Sequence, residues 1–290
     1  MYAVIGASGN TGSAVAQTLL KLGKPVRAVV RRPQAGAGFR NQGADVAVAD
    51  LADPNALATA LTGVDGAYVM TPPLLEAQDP NGTKRAFIGA IRSAAEQAGA
   101  PPLVVLSSMG AHHPSGTGPV VSLHELEQAL HDYPGSVSFL RAPYFLDNWI
   151  DALEPATEKG VFPSLMAPGI RIDMASTAEI GRTAVQLLLD THVHHRVVEL
   201  RSANRYSAQD VALDLARLLG KHLEVVYPPR SEWNDILTGA GLSQLGAAQM
   251  AELIDNINAG RIGFSGEGEY RTASEGPAAM FGRLLEAKAT

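Results

Sequence analysis

The chain of 290 residues contains no cysteine. Disulfides, thiolate nucleophiles, iron–sulfur clusters and thiolate-held zinc are thereby excluded together, and metal chemistry would have to rest on histidine and carboxylates. Long apolar runs are also missing. Stretches such as PPLVVL at 101–106 fall far short of the roughly 20 residues a membrane-spanning helix needs. No basic-then-apolar export signal opens the chain, and the expectation is a cytoplasmic protein without a membrane partner. Positive charge is sparse: the net charge is −6 and no basic run exceeds the pair Arg31-Arg32. Electrostatic binding of nucleic acid is excluded on that ground.

What is present is a globular composition, 46% hydrophobic, enough to bury a large core. Short apolar runs at 2–6, 25–30, 45–48, 66–70, 102–107 and 136–141 alternate with segments of helical period at 11–22, 54–62, 81–98 and 122–132. Such alternation predicts an α/β fold with a doubly wound parallel sheet, Rossmann-like, with helices on both faces. Asp53-Pro54 reads as a helix start, and Gly23 and Gly99 as helix ends. Beyond residue 150 the rhythm loosens, with helices expected near 176–190, 207–219, 243–259 and 275–287. The division expected is a dinucleotide-binding part, 1–150, and a smaller, mostly helical substrate-side part, 151–290, with some of its segments returning to the sheet. The loop GAHHPSGTGP at 110–119 reads as the most flexible stretch.

Gly6, Gly9 and Gly12 lie between the first strand and the first helix. In that context the first glycine permits a tight turn, the second lets the backbone approach a pyrophosphate, and the third lets helix pack closely on strand. Ser8, Asn10 and Thr11 complete the turn, whose free N–H groups attract phosphate. No Gly-Lys-Ser/Thr follows, which excludes a P-loop. After the second strand, where an NAD site places an acidic residue, stand Arg31 and Arg32. Guanidinium groups there suit a 2′-phosphate, so NADP(H) is expected over NAD(H). Asp50 ends the third strand, either as an acceptor for the adenine amino group or as a loop-capping carboxylate. Thr71-Pro72 closes the fourth strand and Ser107-Ser108 the fifth, at the edge where such sheets bind ligands.

VIGASGNTG, the arginine after the second strand, LSSMGA, HELEQAL and FLRAPYFLDNW together resemble the NmrA-like, atypical short-chain dehydrogenase/reductase family. STAEIGRTAVQLLL and YSAQDVALDLARLLGKHLEVV extend the resemblance over most of the chain. It implies either an NADPH-dependent quinone or dye reductase or a non-catalytic NADP(H)-sensing regulator, and it brings Pro143 into the cofactor-binding set. Typical short-chain dehydrogenases use a tyrosine with a lysine four residues on, the lysine easing proton transfer through the tyrosine. No tyrosine here has that lysine, and Tyr144 is followed at that distance by Asn148. In the matching helix stand His124, a candidate proton donor or ribose contact or else a surface histidine, and Glu127. Reduction of lignan-like ethers is disfavoured for want of a lysine there.

The missing pair favours an electron-poor acceptor, a quinone or aromatic dye, receiving hydride from NADPH without flavin or metal. Catalytic candidates are His124 and Tyr144. Met109, Tyr144, Phe145, Asn148 and Trp149 are expected to line the acceptor slot, the alternative for each being plain packing. The histidines at 112, 113, 192, 194 and 195 lack metal-ligand spacing with a companion carboxylate. The serines lack the G-x-S-x-G of a hydrolase. A monomer or homodimer is expected.

Overall fold

The computed structural model describes residues 1–190 and 194–289. Strands β1 (Tyr2–Ile5), β2 (Val26–Val30), β3 (Asp45–Val48), β4 (Gly66–Val69), β5 (Leu103–Ser108) and β6 (Val137–Ala142) alternate with α1 (Asn10–Lys21), α2 (Ala37–Asn41), α3 (Pro54–Leu61), α4 (Pro80–Gln97) and α5 (Val121–Ala129). There follow β7 (Tyr144–Phe145), α6 (Leu153–Lys159), β8 (Val161–Pro163), β9 (Met174–Ala175), α7 (Thr177–Leu189) and β10 (Arg196–Ser202). The remaining elements are α8 (Ala208–Leu219), β11 (Glu224–Val226), α9 (Trp233–Gly239), α10 (Gln244–Asn258), β12 (Glu269–Ala273) and α11 (Pro277–Ala289).

Eight strands form one parallel sheet in the order β12-β10-β6-β5-β4-β1-β2-β3. The chain winds outward from β1 through β2 to β3, then returns to the other side of β1 for β4. That reversal opens a crevice at the carboxyl ends of β1 and β4. Side chains of α1 and α7 pack one face of the sheet, through Val15, Leu19, Ile180 and Ala184. Those of α3, α4 and α5 pack the other, through Leu57, Ile91, Leu126 and Leu130. A third core, built around Trp149, Phe162, Trp233 and Phe281, holds the later helices together.

Local signals in the sequence account for most boundaries. Asp53 caps α3 by accepting from the N–H groups of Asn55 and Ala56, and Ser207 with Asp210 closes a capping box on α8. The two outer strands β10 and β12 are the addition to the six read from the first half. β10 hides a carboxylate, Glu199, fully buried at its centre, and β12 is a short, largely exposed edge. Neither shows the unbroken apolar run that marks a buried parallel strand. The 110–119 loop also differs from expectation, because it is fastened at several points. Gly110 N–H donates to the Gly263 carbonyl at 2.9 Å and His113 N–H to Gly110 at 3.0 Å. Gly118 is pressed so close to α10 that a Cβ would stand 2.0 Å from the Gln249 carbonyl oxygen.

Beside that contact lies Lys84, on α4 and only 2% exposed. Its ammonium reaches the Pro119 carbonyl at 3.4 Å. Burial pushes its pKa down to about 8, against the pull of Glu125. Between that value and the ordinary 10.5, the folded protein binds fewer protons than the unfolded chain, so stability rises with pH across this window. Lys84→Met is therefore expected to stabilise the protein at pH 7 by up to about 3 kcal/mol. The gain should fade as pH approaches 10.5. Denaturant titrations at pH 7 and pH 9.5 check this, and a gain independent of pH would refute it.

Candidate functional site

The sequence-predicted residues gather along the carboxyl edge of the sheet. Gly6, directly after β1, takes a φ of +70°, a conformation glycine adopts without strain. A Cβ there would stand 2.8 Å from the Met70 thioether at the end of β4. At Gly12 the constraint is steric: a Cβ would lie 2.1 Å from the Gly6 carbonyl oxygen. Gly9 caps α1 with no side-chain hydrogen bond, and no acidic residue occupies the first turn. The N–H groups opening α1 therefore face the crevice without a side-chain partner of their own. Ser8 and Asn10 are exposed beside them, while Thr11 is buried beneath the turn.

Arg31 and Arg32, just past β2, are exposed. Among the described residues they are the only arginines whose side chains make neither a hydrogen bond nor an ion pair, since even Arg40, Arg85, Arg205 and Arg261 have partners. Two unneutralised guanidinium groups at the rim of an N–H-lined turn suit an anion. Asp50 caps its own loop, accepting from Ala52 N–H at 2.9 Å through one oxygen. Thr71 and Pro72 are half-buried at the end of β4.

The end of β5 divides two ways. Ser107 is buried and donates its hydroxyl to Glu127 Oε1 at 2.5 Å. Ser108 is half-buried and donates to the Met109 carbonyl at 2.9 Å. His124, half-buried on α5, places Nδ1 2.8 Å from the Ala111 carbonyl oxygen. A carbonyl only accepts, so Nδ1 carries the proton and Nε2 is the nitrogen free to take up or release one. Pro143 is buried, and Tyr144 follows it, half-buried in β7. Burial pushes the Tyr144 phenol up to about 12, with the Asn148 side chain opposing. At neutral pH this phenol keeps its proton and can offer it as a hydrogen-bond donor. Asn148 is exposed and Phe145 half-buried against the first core. Met109 and Trp149 are nearly enclosed in the third core, Trp149 with its ring centre 5.9 Å from Tyr144 and 5.1 Å from Phe162.

Two features stand outside what sequence reasoning found. One is Met70 as the cover of Gly6. The other is a line of buried charge: Glu127 accepts from Arg141 Nε at 3.0 Å and Nη2 at 2.6 Å, and Arg141 Nη1 donates to Ser265 Oγ at 3.2 Å. Ser265 in turn reaches Glu199 at 3.0 Å. Burial works to raise the Glu199 pKa, yet bonds from Arg201, Gly266 N–H and Ser265 hold it below the usual carboxylate range. A lone Arg in a strand and a Glu on a helix carry no spacing signal that would pair them. Among the described residues, no group of three or more histidines and carboxylates could hold a metal ion. His112 and His113 stack at 3.9 Å, His195 points to the Leu130 carbonyl, and His192 lies outside the described residues. No described helix is long and apolar enough to cross a membrane.

The glycine geometry makes a direct prediction. Gly12→Ala must displace backbone and is expected to destabilise the fold by roughly 1–3 kcal/mol. Gly38→Ala in α2, where a Cβ meets nothing within 4 Å, should be neutral or slightly stabilising. Thermal unfolding of the two variants decides the matter, and equal midpoints would contradict the close approach.

The profile of the NmrA-like family matches residues 2–267. An NAD(P)H azoreductase of Xenophilus azovorans is 26% identical over 253 residues, 87% of this chain and 86% of that protein. In overall shape the chain is similar to an NADPH-dependent quinone oxidoreductase of Escherichia coli, solved with NADPH, at a TM-score of 0.77 and 22% identity, covering 98% of this chain and 100% of the other. It is similar as well to a triphenylmethane reductase of Citrobacter sp. solved with NADP(H), at a TM-score of 0.78 and 23% identity, over 92% and 93% of the two chains. With its glycine turn, its eight-stranded parallel sheet and a profile match over nearly its whole length, the chain belongs to the NmrA-like family.

Proposed function

We propose that the protein is an NADPH-dependent reductase of electron-poor aromatic acceptors, quinones or dyes. The observation that carries the reading is the pairing of an N–H-lined glycine turn with two arginines, Arg31 and Arg32, whose side chains have no hydrogen bond or ion pair among the described residues. The names of its relatives, an azoreductase and reductases of quinones and triphenylmethane dyes, support the acceptor class. When bound, reduced nicotinamide supplies a hydride, and no flavin is invoked.

The protein's own residues would do the rest. Gly6, Gly9, Gly12 and the first turn of α1, with Ser8, Asn10 and Thr11, hold the pyrophosphate. Arg31 and Arg32 hold the 2′-phosphate, with Asp50, Thr71, Pro72, Ser108 and Pro143 lining the rest of the edge and Ser107 turned inward beneath it to Glu127. Tyr144 and Asn148 offer hydrogen bonds to the acceptor, and Phe145 and the edges of Met109 and Trp149 offer apolar contact. A quinone that gains a hydride becomes a hydroquinone anion. His124, with Nδ1–H on the Ala111 carbonyl, would take a proton from solvent at Nε2 and, as the imidazolium, pass it to this anion, returning to the Nδ1–H form. A cationic triphenylmethane dye needs no proton, because hydride alone gives the neutral product.

Two variants test the assignments. Arg31→Glu is expected to weaken NADPH binding about tenfold or more while leaving NADH binding nearly unchanged. An unaltered preference would remove Arg31 from the 2′-phosphate site. His124→Ala is expected to slow quinone reduction about 100-fold but dye reduction by less than threefold. Equal losses would deny His124 a proton-transfer role. If NADPH binds and neither acceptor class is consumed, the protein is instead an NADP(H)-sensing regulator.

A further inference from the structure

We infer that Glu127 and Arg141 are positioning residues for the proton step, an inference that rests on the role proposed for His124. Glu127 follows His124 by three residues on α5 and so projects from the same side of the helix. Ser107, Glu127 and Arg141 are 2%, 7% and 7% exposed. Within this enclosure the carboxylate receives three hydrogen bonds, one from the Ser107 hydroxyl and two from Nε and Nη2 along one edge of the Arg141 guanidinium. A two-pronged bond to a planar guanidinium fixes direction as well as distance. The helix is thereby held in one rotation and at one height above β5 and β6. The Ala111 carbonyl on Nδ1 supplies the second anchor of the imidazole.

Arg141 is held equally firmly on its far side, through Ser265 and Glu199. It also precedes Tyr144 by three residues at the end of β6, so one ion pair sets the places from which both His124 and Tyr144 project. An apolar pair of similar volume would join helix and sheet without the cost of desolvating two charges. It would not select one register of α5 on the sheet. Position, more than cohesion, is what this pair adds.

The test uses the full-length protein with Glu127→Gln and, because a lone buried arginine endangers folding, the apolar pair Glu127→Leu with Arg141→Met. Each is assayed for NADPH binding, for NADPH oxidation with a soluble benzoquinone and with a cationic triphenylmethane dye, and for the ¹⁵N resonances of His124 without ligand. The expected result is NADPH affinity within threefold of the parent, benzoquinone turnover down about tenfold, and dye turnover within threefold. The His124 signals should shift from a single Nδ1–H form toward a mixture of tautomers. On a His124→Ala background, Glu127→Gln should cost quinone turnover nothing further. Equal losses with both acceptors, an additive loss on the His124→Ala background, or unshifted His124 signals would overturn the positioning role. The two readings fail separately. If His124→Ala alone leaves quinone turnover intact, the proton role falls and this inference with it, whereas a slow His124→Ala beside a fast apolar pair overturns the positioning role alone.

Discussion

The closeness with which α1 approaches the end of β1 governs the whole carboxyl edge. A single β-carbon at Gly12 would sit 2.1 Å from the Gly6 carbonyl, so helix and strand meet at backbone distance with nothing between them. From that contact follow the direction of α1, the opening of its first N–H groups toward the crevice, and the room that any bound phosphate would have. The opposite side of α1 is clamped just as tightly. A β-carbon at Gly181 would stand 2.6 Å from the Ala14 methyl, which locks α7 against α1 and ties the later chain to the half that carries the glycine turn.

A second constraint runs across the sheet as buried charge. Ser107 on β5, Glu127 on α5, Arg141 on β6, and Glu199 with Arg201 on β10 form one connected path. Ion pairs removed from water are costly, and they persist where each charge meets several well-placed partners. Here every buried carboxylate of the path accepts at least three hydrogen bonds. The path joins the early strands to β10 and to the segment around Ser265. The part of the crevice beside α5 and β6 is consequently built on the sheet itself.

Much of this was legible in one dimension. The first six strands follow from short, mostly apolar runs that alternate with helical segments, the pattern of a parallel sheet covered by helices. The glycine spacing disclosed the turn, because close backbone approach leaves its mark in residue type. Less legible were β10 and β12: the one has a charge at its centre and the other lies at an exposed edge, so neither carries the usual pattern. Flexibility in the 110–119 loop was a fair inference from its glycines and serines, yet its hydrogen bonds to Gly263 and His124 and its close contact with Gln249 come from residues far along the chain or on a neighbouring helix.

The sequence by itself determined the alternating architecture, the glycine turn, the Arg31-Arg32 pair and the lack of a tyrosine–lysine pair, for each of these is written in local composition or short spacing. Only the tertiary structure decided which nitrogen of His124 is free, that Ser107 turns inward to Glu127, that Arg141 is its partner, and that Lys84 is buried. Those facts depend on which side chains meet across helices and strands separated by tens of residues. Desolvation and hydrogen-bond geometry act only once the chain has brought such groups together.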